Sequence, residues 1–382
     1  MTTERAASET GDPLLLTPGP LTTSKRVKEV TVHDWGSRDA TFLRINDAVL
    51  ARMRDVVHGG NEFVTVPMQG SGTFAVEAML TTYVPREGRV LLLVNGAYGH
   101  RAKRICEIAG RQAVVHETPE DTPPNLAEVE RLLASQPITH VFAVHCETTS
   151  GILNPIAEIA ALAARHGKRL LIDAMSAFGA LPLDARELAF DAVAASSNKC
   201  IEGIPGLGFV ICRTTALAAT AGNATTLTLD LHDQWRNFER TGQYRFTPPI
   251  HVIVSFHQAL EEFLAEGGVA GRGGRYAENC RVLIDGMRAL GFEPLLADRL
   301  QAPIIVTFRM PADPRFVFQA FYDKLKDRGY VIYPGKLTVA ESFRIGCIGR
   351  LYPDQMRGAV AAIGDILREM GVSSLKPAKA AA

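Results

Sequence analysis

The sequence has no long apolar run. Its most obvious hydrophobic block, Val90–Val94, spans five residues, far short of the 18 or more that a membrane-crossing helix needs. It has no excess of either charge: 41 Lys and Arg balance 41 Asp and Glu, and no basic run supplies the electrostatic footprint of a nucleic-acid binder. Paired cysteines are missing as well. Cys106, Cys146, Cys200, Cys212, Cys280 and Cys347 are scattered without a Cys-x-x-Cys spacing. That argues against a disulfide framework or a metal cage and predicts reduced, mostly buried thiols. The first dozen residues, MTTERAASETGD, lack the apolar core of a signal peptide. They read as a loose leader, and the expectation is a cytoplasmic protein.

What is present is an ordinary globular composition, 47% hydrophobic and 21% charged over 382 residues, enough for two domains. Short apolar runs alternate with helix-like segments through the first two-thirds. Val90–Val94, Val141–Val144, Leu170–Ile172, Ala192–Ala194 and Phe209–Ile211 are continuous rather than alternating, as strands covered on both faces must be. Between two of them, Asn154 suits a helix N-cap, Pro155 the first turn and Gly167 the stop. Strand, helix and strand at this spacing predict a mainly parallel sheet in an α/β domain. After about residue 272 the texture changes. The stretch 267–274, with five glycines, reads as a boundary loop or a helix interruption. Strands at 304–309 and 330–333, a helix at about 314–328 and a last amphipathic helix at about 353–370 predict a smaller α+β domain. The expected division is a leader at 1–13, a large domain at 14–271, a small domain at 272–375 and a frayed tail at 376–382.

Three pieces carry chemistry. Gln69-Gly70-Ser71-Gly72-Thr73 precedes a helical stripe, and small or hydroxyl residues at a helix start expose backbone N–H groups that attract anions. Without a P-loop lysine it also reads as a capped helix after a turn. Asp173 ends a strand, where carboxylates face the ligand crevice of open α/β sheets, although a turn residue sits there equally well. Ser196-Ser197-Asn198-Lys199 follows the next strand; taken alone, its lysine reads as a surface charge. Together they ask for a ligand with a phosphate, a cationic ring nitrogen and an aldehyde, and pyridoxal phosphate has all three. Two rival patterns lack their partners. Ser196-x-x-Lys199 has neither Ser-Asp-Asn nor Lys-Thr-Gly, and His145-Cys146-Glu147 has no following Pro-Cys-x-x-Cys.

Further segments extend the pattern in order: Leu14-Leu-Leu-Thr-Pro-Gly-Pro-Leu-Thr-Thr-Ser24, Gln69–Gly72 with Ala75–Ala78, Asn95-Gly-Ala-Tyr-Gly99, Glu147-Thr-Thr-Ser-Gly151, Asp173–Ser176, Asn198–Cys200, Arg245–Thr247, Tyr333-Pro-Gly-Lys336 and Phe343-Arg-Ile-Gly346. In these the chain resembles the 2-aminoethylphosphonate:pyruvate transaminases, in the alanine:glyoxylate-aminotransferase-like branch of the class V, fold-type I pyridoxal-phosphate enzymes. The resemblance implies a large domain with a mainly parallel seven-stranded sheet, a smaller C-terminal α+β domain, and a homodimer that shares its active sites.

It also implies roles. Lys199 would be the Schiff-base lysine and proton carrier, and Asp173 would pair with the ring nitrogen. Tyr98 and Met175 would cover the two faces of the ring. Thr148 would hydrogen-bond near the phenolic oxygen, and Ser71, Gly72, Thr73 and Asn198 would hold the phosphate with Tyr244 and Thr247 of the partner subunit. Arg344 would bind the substrate's acidic group through a fork, Gly19 would close over it, and no metal is implied. The family's Asp-Trp-x-x-Trp-Asp is here Asp34-Trp-Gly-Ser-Arg38-Asp39, which puts Arg38 forward as a further contact to an anionic donor. Tyr244 stands where some members have Trp. The implied reaction passes the amino group of 2-aminoethylphosphonate to pyruvate. Alternatives are a serine or alanine:glyoxylate transaminase, a lyase of the cysteine desulfurase type, for which Cys347 is the available thiol, and a scaffold that has lost catalysis.

Overall fold

The computed structural model describes residues 5–337 and 341–377. Seven strands form the central sheet, in the spatial order Phe63–Gln69, Leu207–Arg213, Ala192–Ser196, Arg169–Asp173, His140–Val144, Arg89–Val94 and Gln112–Glu117. Leu207–Arg213 is antiparallel to both its neighbours, and the remaining pairings are parallel. Alternate residues of one strand point into two different cores. Leu91, Val141, Leu170 and Val193 lie in one, while Leu92, Phe142, Leu171 and Ala194 lie in the other. A strand covered on both faces has no polar side, which is why these strands read as continuous apolar runs.

The two strands absent from the sequence reading are the sheet's edges. Gln112–Glu117 is half exposed and mixed in polarity. Phe63–Gln69 contains Pro67, which an edge strand tolerates because one side of its backbone needs no partner. Two smaller readings also change. The helix expected after Asn154 is Ile156–Arg165, with Pro155 at the cap; the Asn154 amide instead donates to the Val144 carbonyl and pairs with Asn95. The helix expected from 314 begins at Phe318, because the Asp313 carboxylate accepts from the backbone N–H groups of Arg315 and Ser373 and holds an irregular turn.

The glycine-rich stretch is a helix interruption rather than a boundary loop. Gly267 adopts φ +99° after the helix Ile250–Ala265, and a single helix then runs from Gly268 to Leu290. Its glycines serve close approach: a Cβ on Gly273 would strike the Ala180 carbonyl, and one on Gly271 the Glu266 carbonyl. This helix therefore continues across residue 272 and binds the two parts of the chain together. The N-terminal segment does the same. Leu14–Leu15 pairs in parallel with Tyr330–Val331, and Leu14 and Leu16 are buried in the small domain's core with Phe308, Phe321 and Phe343. The leader is tied down from Ala6, whose N–H donates to the Arg328 carbonyl at 3.0 Å. At the other end Lys376 accepts from Ala312; the rest of the expected tail, 378–382, lies outside the described residues. All six cysteines are free and buried, and no helix among the described residues is long and apolar enough to cross a membrane.

A buried charge cluster fastens the helix Gly268–Leu290 to the loop after Lys199. Arg272 is fully buried; its Nη1 donates to the Cys200 carbonyl at 2.6 Å and its Nε to Glu266 at 2.7 Å. Arg275 donates to Glu202 at 2.7 Å, to Glu266 at 2.6 Å and to the Gly349 and Leu351 carbonyls of the small domain. Glu202 also accepts from the Tyr276 hydroxyl at 2.6 Å and sits at φ +65°, a conformation that a side chain adopts only when its surroundings impose it. Removing one partner of such a network strands the opposite charge out of water. Glu202→Ala should lower unfolding stability by about 3–5 kcal/mol, read as a shift of the urea midpoint. A change within about 0.5 kcal/mol would mark the cluster as surface-like.

Candidate active site

Every central strand but the antiparallel one delivers its C-terminal end to the same edge, and the chemistry gathers there. Past Gln69 the chain turns at Gly70, φ +122°, and Ser71 caps the helix Gly72–Tyr83 in extended conformation without using its hydroxyl on the helix. That leaves the Ser71 hydroxyl and the first N–H groups of a 12-residue helix facing a cavity of about 210 Å3, positive end first. Gly72 leaves room for the Met175 thioether across the cavity, which a Cβ there would push aside.

Asp173 and Lys199 come from adjoining parallel strands, with Asp173 opposite Ala194 in register. Asp173 is 3% exposed and accepts one hydrogen bond, from the Met175 N–H at 2.9 Å. Burial raises its pKa to about 6, against that backbone bond and against the nearby Arg101 and Lys199. The Lys199 amine donates to the Pro18 and Gly19 carbonyls at 2.6 and 3.2 Å. Burial is also the main cause that lowers its pKa from 10.5 to about 8, with Arg101 and Arg344 adding repulsion. A carboxylate at one end of the cavity, an amine that sheds its proton near neutral pH, and a helix N-terminus at the other form the donor set that pyridoxal phosphate requires.

Of the residues singled out from sequence, Gly19, Ser71, Gly72, Thr73, Tyr98, Asp173, Met175, Asn198 and Lys199 line this one cavity. Thr148 and Arg344 stand beside it: Arg344 is 5% exposed and its Nη1 donates to the Thr148 carbonyl at 2.8 Å, its Nε to the Pro334 carbonyl at 3.1 Å. Tyr244, Thr247 and Arg38 are not brought to the cavity of their own chain. The Tyr244 hydroxyl donates to Asn46 at 2.8 Å and its ring packs edge-on against Phe238, and Thr247 is exposed. Arg38 is exposed on a turn that Asp39 directs outward by capping the helix Ala40–Val56. Cys347 is fully buried beside Cys280, with its thiol pKa pushed up, which removes the mobile nucleophile a desulfurase reading needs.

Two residues escaped the sequence reading. Arg101 lies one helical turn after Tyr98 on the helix Ala97–Ile108, its guanidinium 4.7 Å from the Tyr98 ring and its Nη1 donating to the Thr73 hydroxyl at 2.9 Å. The i, i+3 spacing from Tyr98 was the available signal. Glu147 is completely buried, and its carboxylate accepts from the N–H groups of Tyr98, Gly99 and Thr149 and from the Thr149 hydroxyl. It clamps the turn that carries Tyr98 onto the turn that carries Thr148. A side chain on Gly96 would displace it. Burial pushes its pKa up, and these four donors pull it back.

Residues 32–312 match the family described as Aminotransferase class-V. The chain belongs to the class V aminotransferases. It is 54% identical over 361 residues to a protein of Pseudomonas putida (strain W619) named 2-aminoethylphosphonate--pyruvate transaminase, covering 94% of this chain and 98% of that one. A 2-aminoethylphosphonate--pyruvate transaminase 1 of Cupriavidus pinatubonensis (strain JMP 134 / LMG 1197) is 53% identical, over 95% and 96% of the two chains. Among solved structures, pyridoxamine-pyruvate aminotransferase from Mesorhizobium loti has a TM-score of 0.87 at 25% identity, covering 97% of this chain and 95% of that one. Ureidoglycine-glyoxylate aminotransferase from Bacillus subtilis has a TM-score of 0.86 at 21% identity, over 95% and 94%. This class V aminotransferase thus has the fold-type I architecture expected of it.

The lowered lysine pKa has a measurable sign. Between about 8 and 10.5 the unfolded chain holds a proton on Lys199 that the folded chain has lost, so this group's contribution to stability rises with pH across that window. Only the uncharged amine attacks an aldehyde. In cofactor-free protein, the rate of pyridoxal phosphate uptake, followed by visible absorbance, should rise through pH about 8. A rise deferred to the ordinary lysine range would show that the amine is solvated.

Proposed function

We infer that this enzyme is a pyridoxal-phosphate-dependent aminotransferase that moves the amino group of 2-aminoethylphosphonate to pyruvate, giving phosphonoacetaldehyde and L-alanine. The observation that carries the reading is one cavity onto which the Lys199 amine, the Asp173 carboxylate and the N-terminus of the helix Gly72–Tyr83 all open. When bound, pyridoxal phosphate supplies an electron sink for the pair left behind when a proton departs from the carbon bearing the amino group. The protein does the rest. Asp173, held as a carboxylate by the Met175 N–H, keeps a proton on the ring nitrogen. The N–H groups of Gly72 and Thr73, with the Ser71 and Thr73 hydroxyls and Asn198, would cradle the phosphate, and Tyr98 and Met175 would flank the ring.

With the cofactor bound, the Lys199 amine would hold its aldehyde carbon until the donor's own amine takes over that bond, and the freed lysine amine would then be placed to accept the proton from the carbon that bears the amino group. Its lowered pKa leaves an appreciable uncharged fraction near neutral pH, as a base must have. The order is ping-pong: phosphonoacetaldehyde leaves before pyruvate enters. Arg344 binds the acidic group of each substrate in turn. We place Tyr244 and Thr247 of the partner subunit at the phosphate in a homodimer. This is supported by their distance from their own chain's cavity and by an exposed Thr247 and Phe246.

A panel of amino donors tested with pyruvate, read as alanine formed, should give 2-aminoethylphosphonate the highest kcat/KM. Preference for serine or alanine with glyoxylate would replace the donor assignment while leaving the class intact. Arg344→Lys keeps a positive charge and loses the planar fork and the two backbone braces. Since hydrogen bonds to charged groups are worth about 1.5–3 kcal/mol, kcat/KM for pyruvate should fall about ten- to a hundredfold. An unchanged value would move the substrate's acidic group away from Arg344.

A further inference from the structure

The cavity's rim carries more positive charge than a cofactor phosphate and a carboxylate substrate require. Arg101, Lys336 and Arg344 all reach the neighbourhood of Tyr98: Arg101 and Lys336 each lie 4.7 Å from the ring centroid, and Arg344 lies 5.9 Å from the adjoining Tyr333 ring. The hydrogen bonds of Arg101 and Arg344 go to the Thr73 hydroxyl and to the Pro334 and Thr148 carbonyls, none of them a carboxylate. The two carboxylates close by are committed elsewhere, Asp173 at the cavity floor and Glu147 in its clamp. Arg101 belongs to the phosphate end through its bond to the Thr73 hydroxyl. Two cations remain for the substrate.

Arg344 alone matches a carboxylate. Its Nε–H and one Nη1–H hold the Pro334 and Thr148 carbonyls, so three of the five N–H groups remain free. Those can fork the two oxygens of a planar monoanion. A phosphonate brings a third oxygen and, above its second ionisation, a second negative charge. Lys336 is positioned to meet both. Tyr333 pairs with Arg344 in register, the Gly335 N–H donates to the Ser342 carbonyl at 2.9 Å, and a Cβ on Gly335 would strike that carbonyl. The glycine lets the two backbones close up, and the next residue, Lys336, is thereby carried over Tyr98 on the same side of the small domain as Arg344. A compact ammonium suits a tetrahedral dianion, as lysine does at many phosphate sites.

We propose that Lys336 is a specificity-determining residue that works with Arg344 to bind the doubly charged phosphonate end of the donor, and contributes little to carboxylate substrates. The inference rests on the donor assignment above and adds the residue that enforces it. It can be tested without turnover. Ethylphosphonate and propionate lack the amine and serve as dead-end ligands, so their binding to the cofactor-loaded enzyme can be followed by calorimetry.

Lys336→Met should weaken ethylphosphonate by about tenfold or more, the worth of one hydrogen bond between charged groups, and propionate by less than about threefold. Lys336→Arg should restore most of the loss. At about pH 5, where a phosphonate keeps its second proton and carries a single negative charge, the difference between wild type and Lys336→Met should shrink. Equal loss for both ligands, no loss for either, or a phosphonate loss that persists at low pH would overturn the proposal. Turnover of 2-aminoethylphosphonate by the wild type is the separate control. If it is absent, the donor assignment fails, while the comparison of the two dead-end ligands still decides the role of Lys336.

Discussion

Two buried arginines hold the reactive lysine in place. Arg272 grips the Cys200 carbonyl, one residue past Lys199, and Arg275 joins Glu202 of the same loop to the Gly349 and Leu351 carbonyls of the small domain. Glu202 in its left-handed conformation and Glu266 at the other end neutralise the pair. A buried ion network is weak evidence of net stability, because withdrawing charges from water offsets most of their attraction. Its value lies in geometry. An arginine with all its hydrogen bonds made in one arrangement cannot slide, and the turn from Ser196 to Glu202 is defined by what it is tied to.

That rigidity permits an unfavourable solvation at the cavity floor. Asp173 is buried and Lys199 half-buried, and desolvation moves each toward its neutral form, the acid upward and the amine downward. The same desolvation that raises the acid's pKa lowers the amine's to about 8. Glu147 provides the contrasting case. It is buried as deeply, but four donors surround it, and it serves as a fixed hydrogen-bond acceptor that aligns Tyr98 with Thr148.

The sheet's interior strands and the Asp173 and Lys199 positions were legible in the sequence for one reason. Strands buried on both faces must be apolar throughout, so a charged residue at the end of one stands out. Legibility failed where that contrast is absent. Gln112–Glu117 has the mixed polarity of an edge, and Phe63–Gln69 carries a proline that reads as a breaker. The glycines at 267–274 left a boundary loop and a helix interruption both open, because glycine for backbone freedom and glycine for close packing look alike in a sequence. Glu147 sat inside a recognised segment, yet nothing in a linear string says that a glutamate is dry. Arg101 was one turn from Tyr98 and readable by helical spacing. Tyr244, Thr247 and Arg38 are not among the residues lining the cavity of their own chain.

The N-terminal strand gives the enzyme a mechanical linkage. Leu14 and Leu16 donate to the Gly329 and Val331 carbonyls of the small domain, the Leu16 carbonyl accepts from Gly346 two residues past Arg344, and two and three residues further along the same strap the Pro18 and Gly19 carbonyls hold the Lys199 amine. A small rotation of the domain that carries Arg344 would therefore pull on the atoms that solvate the lysine. Arg344 and the Lys199 amine are thus joined through the backbone by a tether of a few residues, and a displacement at one end is carried to the other.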